Sequence, residues 1–520
     1  MDTDPKSRRV LSPFKALIMI ALTGLVMIGL VFGVTWLADN SSYWGAPDWN
    51  APESAAQFSQ VLQEQPATST QSGPMYTPTP DPPHALPPIR EKTETYTVKS
   101  GDSLGAIAQR YGISLEQLIK ANDLANPNIL EVGQVLTVPV PSPDTTGPGF
   151  KIIPDSELVY GPASAAFDVV DFINSKGGYL ATYSEEVNDV MLSGAQIVER
   201  LAKNHSVNTR LLLAVLEYRS GWVTKANPAK DTLDTPIGDL GPNAEGLYRQ
   251  LNWAANNLNL GYYLWRVNGT ATWLLGDGSV VPINATINAG TAGVQQMFAP
   301  LTGLEEWTQV VIETGFITTY TNLFGYPFNY AVEPLLAQDL QQPKMQLPFE
   351  RGQVWAFTGG PHGGWGSGSA WAAIDFAPPG DALGCVQSDE WVVAVADGDI
   401  LRAGNGAVIQ DLDGDGNEGT GWVVLYMHIE TRDRVEPGTY LKAGERIGHA
   451  SCEGGVSSGT HVHIARKYNG EWIPADQDTP FVLDSWISSG TGQPYDGYLT
   501  RGDQTIEAYA GRSDTNAILR

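Results

Sequence analysis

The segment Gly459-Thr460-His461-Val462-His463-Ile464 constrains the fold more than any other stretch of the chain. Alternate residues of a strand share a face, so His461 and His463 face one cleft while Val462 and Ile464 face a core. Two imidazoles on one face serve as a pair of metal ligands, or as one ligand beside an acid–base group. Alone, they could equally be two surface histidines on an edge strand. Three further segments join them: Thr358-Gly359-Gly360-Pro361-His362, then Ala373-Ile374-Asp375-Phe376-Ala377 after a glycine-rich loop, then Val424-Leu425-Tyr426-Met427-His428-Ile429. One aspartate and two histidines make a catalytic zinc set with an open fourth position, leaving two imidazoles to handle protons.

G-G-P-H, A-I-D-F-A, L-Y-M-H and G-T-H-V-H, in that order, resemble the motifs of the LytM and lysostaphin-like zinc peptidoglycan endopeptidases. The long gap between His362 and Asp375 resembles the beta-lytic branch; most members have the shorter H-x-x-x-D. The resemblance implies that His362, Asp375 and His463 bind zinc (Zn2+) and that His428 and His461 are the catalytic histidines. The domain is expected over residues 345–490, with a C-terminal extension at 491–520. Short strand signals at Trp391 to Ala396, Trp422 to Ile429 and Thr460 to Ala465 predict a mainly antiparallel β fold. Asp397-Gly398-Asp399 reads as a hairpin turn into Ile400 and Leu401. His449 lies outside these motifs and reads as structural. Asp411, Asp413, Asp415 and Gly416 resemble the start of a calcium loop, but Trp422 stands where the closing acidic residue belongs, so a hairpin loop without calcium is expected.

A chain of 520 residues is too long for one core, and about three domains are expected. Its formal charge of -26 excludes a surface built for nucleic-acid phosphates. Cys385 and Cys452 flank the strand that carries His428, and in an oxidising compartment they are expected to pair; the alternative is two small buried hydrophobes. At the N-terminus, a tail over 1–15 carries Lys6, Arg8, Arg9 and Lys15, and 16–38 is uncharged and long enough to span a membrane. The positive-inside rule then places the rest outside the cytoplasm, on a single-pass membrane anchor. The alternative is a cleaved signal peptide and a secreted protein, against which Trp36 occupies the place of a small residue. Residues 39–94, rich in Pro, Ser, Thr and Gln, read as a disordered tether.

Residues 95–140 read as strand, helix, helix, strand. Leu104, Ile107, Ala108 and Tyr111 recur at helical spacing, and Ser114 with Gln117 caps the second helix. Y-T-V-K-S-G-D-S-L, I-S-L-E-Q-L-I-K-A-N and L-E-V-G-Q-V-L-T-V-P closely resemble a LysM domain. That resemblance implies binding of N-acetylglucosamine-containing glycans such as peptidoglycan, in a groove between Gly101-Asp102-Ser103-Leu104 and Asn126-Pro127-Asn128-Ile129.

Beyond a linker at 141–155, residues 156–342 read as a mainly helical domain. Ser193 and Gln196 form a capping box, and Tyr248, Trp253, Tyr262, Tyr263 and Trp265 are core residues or, if exposed, sugar platforms. Leu211 to Glu217 faintly resembles the lysozyme-like lytic transglycosylases. That family carries its glutamate directly before a serine. Here Arg219 precedes Ser220, and Glu217 is rotated by about 200 degrees around the helix. Glu217 therefore reads as a solvated or capping carboxylate.

The expected protein is multidomain: a transmembrane helix, a small α+β LysM unit, a mainly helical middle domain and a mainly antiparallel β zinc peptidase domain. The expected activity is extracytoplasmic cleavage of the peptide part of peptidoglycan. Its rivals are a non-enzymatic wall-binding or amidase-activating protein, and a bifunctional hydrolase whose middle domain cuts glycan.

Overall fold

The computed structural model of the protein describes residues 84–99, 102–124, 126, 130–141 and 146–520. The tail at 1–15, the anchor at 16–38 and most of the tether lie outside the described residues, as do Gly101, Pro127, Asn128 and Ile129. Among the described residues, no helix is long and apolar enough to cross a membrane. The described end of the tether is not detached. The His84 N–H donates to the Ala285 carbonyl (2.7 Å), and its ring stacks on Trp265 at 4.2 Å.

The LysM unit has the expected order: β1 (Glu94–Thr97), α1 (Leu104–Arg110), α2 (Leu115–Ala121) and β2 (Val135–Val138). The strands pair antiparallel, Glu94 opposite Val138. Val98, Leu104, Ile107, Leu118, Leu136 and Val138 form its core. The Ser114–Gln117 capping box closes α2, with both hydrogen bonds formed (3.0 and 2.9 Å). Leu104 departs from expectation. Its side chain is buried in that core and so does not line a surface groove, leaving Asp102 and Ser103 from its loop. Asp102 accepts from the Tyr96 hydroxyl and the Lys99 N–H (2.8 and 2.6 Å).

The middle domain comprises α3 (Val169–Lys176), the hairpin β3 (Ser184–Val187) and β4 (Val190–Ser193), α4 (Gly194–His205), α5 (Thr209–Ser220) and α6 (Leu247–Arg266). The hairpin β5 (Thr272–Leu274) and β6 (Val280–Pro282) follows, then α7 (Ala289–Phe298), α8 (Leu304–Val310) and α9 (Phe316–Phe324). Helices α6 and α7 touch backbone to backbone: a Cβ on Gly261 would lie 2.4 Å from the Ala292 carbonyl oxygen, so only glycine fits. Tyr248, Tyr262, Tyr263 and Trp265 are buried and Trp253 is half-buried, so these aromatics pack the helices and offer no sugar platform. The linker expected at 141–155 ends inside this domain. Ile152 and Ile153 are fully buried, and the Ile152 N–H donates to Thr291 Oγ1 (2.8 Å).

The C-terminal domain is the expected antiparallel β fold. Its main sheet uses β7 (Val354–His362), β8 (Ala373–Ala377), β10 (Gly398–Gly404), β11 (Ala407–Asp411), β12 (Trp422–Met427), β13 (Tyr440–Leu441), β15 (Val462–Tyr468), β16 (Glu471–Trp472) and β21 (Ala517–Leu519). The order is β13-β10-β11-β12-β15-β8-β7-β21, with β16 on β15. Strands β9 (Trp391–Val393) and β14 (Arg446–His449) pair separately. The hairpin expected at Asp397-Gly398-Asp399 is therefore absent, because β9 pairs with β14 and not with β10. Gly398 sits in the sheet, where a Cβ would lie 2.1 Å from the Asp411 carbonyl oxygen. The tight turn is Asn405-Gly406, linking β10 to β11 with φ of 37° and 76°.

The boundary at residue 490 does not hold either. Strands β17 (Val482–Leu483), β18 (Trp486–Gly490), β19 (Gly497–Arg501) and β20 (Gln504–Glu507) form one sheet, and β21 pairs with β7. The expected extension is part of the domain.

Candidate metal centre

Strand β8 runs between β7 and β15, and its register sets the centre. Asp375 stands opposite Gly359 on one side and His463 on the other. The two glycines before Pro361 are spatial requirements: a Cβ on Gly359 would lie 2.5 Å from Asp375 Oδ2, and one on Gly360 2.6 Å from the Asp496 backbone. With that space clear, His362 at the end of β7 reaches the same point. His362 Nε2 lies 3.0 Å from His463 Nδ1 and 3.3 Å from Asp375 Oδ1, and His463 Nδ1 lies 3.4 Å from Asp375 Oδ1. All three residues are buried.

Each imidazole is aimed by its other nitrogen. His362 Nδ1 donates to the Gly360 carbonyl (2.8 Å) and His463 Nε2 to the Gly364 carbonyl (3.1 Å). Asp375 Oδ1, at the meeting point, is buried and has no hydrogen-bond partner among the described residues. A buried carboxylate oxygen left in this state calls for a cation. Burial pushes the Asp375 carboxyl up, but the charges of His362 and His461 outweigh it and hold the group well below its ordinary range. Burial lowers His362 as well, yet the Asp375 carboxylate prevails and raises it. Burial leaves His463 lowered. A metal ion here would need His362 and His463 neutral, since imidazole binds metal only in that form.

His428 and His461 sit beside this set, their rings 4.4 Å apart, with His461 Nε2 3.8 Å from Asp375 Oδ2. His428 Nδ1 donates to the Glu453 carbonyl (3.0 Å) and His461 Nδ1 to the Gly459 carbonyl (2.7 Å), so neither Nε2 is engaged by these carbonyls. Burial, then the neighbouring His461 and His463, hold His428 well below its ordinary range, so its ring is neutral. All five residues singled out in the sequence thus meet in one place.

Tyr495 was not singled out. Its ring stacks on His362 (centroids 4.2 Å apart), and its backbone pairs with Gly360 and Pro361. It follows Gly492-Gln493-Pro494, which reads only as a turn, so nothing local marked it. The other candidates fall elsewhere. His449 packs on Trp391 (3.9 Å), a structural role. The carboxylates of Asp411, Asp413 and Asp415 come within 4.8 Å of one another, but Asp411 already accepts from the backbone N–H groups of Asp413, Gly414 and Gly416. Glu217 accepts from the N–H groups of Val223 and Thr224 (3.0 and 3.1 Å) and so caps the turn after α5. Cys385 and Cys452 are disulfide-bonded, as expected.

Comparison with known families falls on the same segments. Residues 374–474 match Peptidase family M23 and residues 96–139 match the LysM domain, so the chain carries an M23 peptidase domain and a LysM domain. The first match takes in Asp375, His428, His461 and His463 and begins after His362. Residues 151–337 match the family described as LasA, N-terminal domain, which the faint transglycosylase likeness of the middle region did not anticipate. Protease LasA of Pseudomonas aeruginosa is 25% identical over 343 residues, covering 61% of this chain and 74% of that protein. The beta-lytic metalloendopeptidase of Lysobacter enzymogenes is 28% identical over 167 residues, covering 31% of this chain and 90% of that protein. Among solved structures, the M23 metalloprotease pseudoalterin, from the deep sea, is 24% identical, covering 32% of this chain and 96% of its own, with a TM-score of 0.28.

Proposed function

We propose that the protein is a zinc endopeptidase that hydrolyses peptide bonds in bacterial peptidoglycan and holds its substrate through the LysM domain. The convergence of His362, Asp375 and His463 around an orphaned carboxylate oxygen carries this reading. Tetrahedral zinc with bonds of about 2.0–2.1 Å needs ligand atoms about 3.3–3.4 Å apart. The three separations here are 3.0, 3.3 and 3.4 Å. When bound there, zinc supplies a Lewis acid that polarises a peptide carbonyl and lowers the pKa of an attacking water.

The chain's own groups do the rest. His461, whose Nε2 lies 3.8 Å from Asp375 Oδ2, takes the proton of the attacking water. His428 stabilises the oxyanion of the tetrahedral intermediate. Its Nδ1–H is already committed to Glu453, so it must first receive a proton on Nε2 before it can donate there. The two touching rings make that transfer short. A non-enzymatic wall-binding role would leave this complete set of ligands and bases without a purpose.

In the LysM domain, Asp102, Ser103 and Asn126 bind the glycan, together with Gly101, Pro127, Asn128 and Ile129 of the same two sequence segments. Residues 16–38 anchor the chain in the cell membrane with its other domains extracytoplasmic, a reading that rests on the uncharged run and its basic flank alone. Digestion of purified peptidoglycan, with the new ends identified by mass spectrometry, tests the function. New amino ends that depend on added zinc are expected, and an intact peptide portion after prolonged incubation would exclude it. Deleting residues 96–139 is expected to weaken pelleting with insoluble peptidoglycan while sparing cleavage of soluble fragments, and equal pelleting would remove LysM from the account.

A further inference from the structure

The Cys385–Cys452 disulfide takes no part in the chemistry above, yet its immediate neighbours hold both histidines outside the metal set. Cys452 lies between Ser451 and Glu453. The Ser451 N–H and Oγ–H both donate to the His428 carbonyl (2.7 and 3.0 Å), and the Glu453 carbonyl accepts from His428 Nδ1 (3.0 Å). The Ser451 carbonyl also accepts from the His461 N–H (3.2 Å). Cys385 lies between Gly384 and Val386. The Gly384 carbonyl accepts from the N–H of Thr460, next to His461 (3.1 Å), and the Val386 N–H donates to Thr460 Oγ1 (2.9 Å). Ser457 fills the space between, its Oγ 3.3 Å from Cys452 Sγ and 3.3 Å from His461 Nδ1.

Support of this kind is needed at His428. Its φ of 65° is left-handed, a conformation that a residue with a Cβ keeps only where its surroundings over-determine it. The metal ligands are held differently. They stand on β7, β8 and β15 inside the main sheet, and the two histidines among them are aimed by the Gly360 and Gly364 carbonyls.

We propose that the disulfide is a positioning device for His428 and His461. It ties the segment carrying Gly384 and Val386 to the segment carrying Ser451 and Glu453, so its loss lowers turnover while the metal stays in place. The inference rests on the peptidase reading. The test compares full-length wild type with the Cys385→Ser/Cys452→Ser variant, measuring metal content, kcat and KM on soluble cross-linked peptidoglycan fragments.

The variant is expected to keep its metal and a near wild-type KM while kcat falls between about tenfold and a hundredfold, as for outer-shell partners of other metal sites. An unchanged kcat, or metal lost in step with kcat, would overturn the proposal. Should the double variant fail to fold, the decision passes to Ser451, whose replacement leaves the disulfide intact. Ser451→Ala is expected to lower kcat with metal retained, and Ser451→Thr, which keeps the hydroxyl donor, to restore it. Wild-type kcat in Ser451→Ala would refute the positioning role. A metal-loaded wild type that cuts nothing would instead count against the peptidase reading itself.

Discussion

Glu217 in the middle domain and Asp375 in the C-terminal domain are both carboxylates in positions a sequence reader would suspect of catalysis, and their surroundings are opposite. Glu217, on the last turn of α5, accepts from the N–H groups of Val223 and Thr224 on one oxygen and from the Thr224 hydroxyl on the other, donors supplied by its own chain. Asp375, in the middle of a sheet, faces three imidazoles and keeps one buried oxygen without a hydrogen-bond partner among the described residues. A carboxylate whose lone pairs are already used shapes the fold. One whose lone pairs are aimed, dry and unused is arranged for something that arrives later.

The largest effect is expected at Asp375. Asp375→Ala removes the shared oxygen, and both bound zinc and peptidoglycan hydrolysis should fall below detection, read by metal analysis and release of amino ends. Zinc retained in this variant would erase the contrast with Glu217.

The next effect separates the two kinds of histidine. In His461→Ala a proton-transfer group is lost while the ligands remain, so the rate should fall about a hundredfold to ten-thousandfold with zinc still present. Steady-state cleavage of a soluble fragment measures it.

The middle domain has a pH response of its own, and it comes from His205. Burial lowers the His205 imidazole to about 4, although Asn252 hydrogen-bonds it at 2.8 Å. An unfolded histidine has a pKa near 6.5, so between those values the unfolded chain binds a proton that the folded chain refuses. Stability is therefore lost as pH falls from about 6.5 and the loss is complete below about 4, amounting to about 3 kcal/mol. Urea unfolding of His205→Gln should show a shallower decline over that range, and an equally steep one would assign the response to other groups.

The smallest effect is expected at Glu217. Glu217→Gln keeps an oxygen acceptor for the turn, so hydrolysis should be unchanged and stability should fall by about 1 kcal/mol or less, seen in thermal unfolding. Lost glycan cleavage in this variant would place catalysis in the middle domain after all.

What the sequence disclosed follows the range of the interactions. The LysM helices and their capping box are set by residues three or four apart, and the H-x-H alternation fixes a strand face, so both were legible. The five residues of the candidate metal centre were legible because they sit in four short motifs, His461 and His463 sharing one. Strand partners were not. Gly398 looks like a turn glycine until Asp411, distant in sequence, is brought against it, and Asn405-Gly406 carries the turn that was missed. Leu104 shared a loop with candidate glycan residues, but its side chain completes the core. Tyr495 and β21 escaped for the same reason: their importance lies in stacking on His362 and pairing with β7, contacts made across the domain.

The most direct test of the account is the zinc content of His461→Ala and His463→Ala, side by side with wild type, after dialysis against a competing chelator. The two residues lie on one strand face, two positions apart, yet one is aimed into the ligand set by the Gly364 carbonyl and the other is held outside it by the Gly459 carbonyl. One zinc per chain is expected in wild type and in His461→Ala, and none in His463→Ala. Zinc lost from His461→Ala and kept in His463→Ala would reverse the assignment and contradict it.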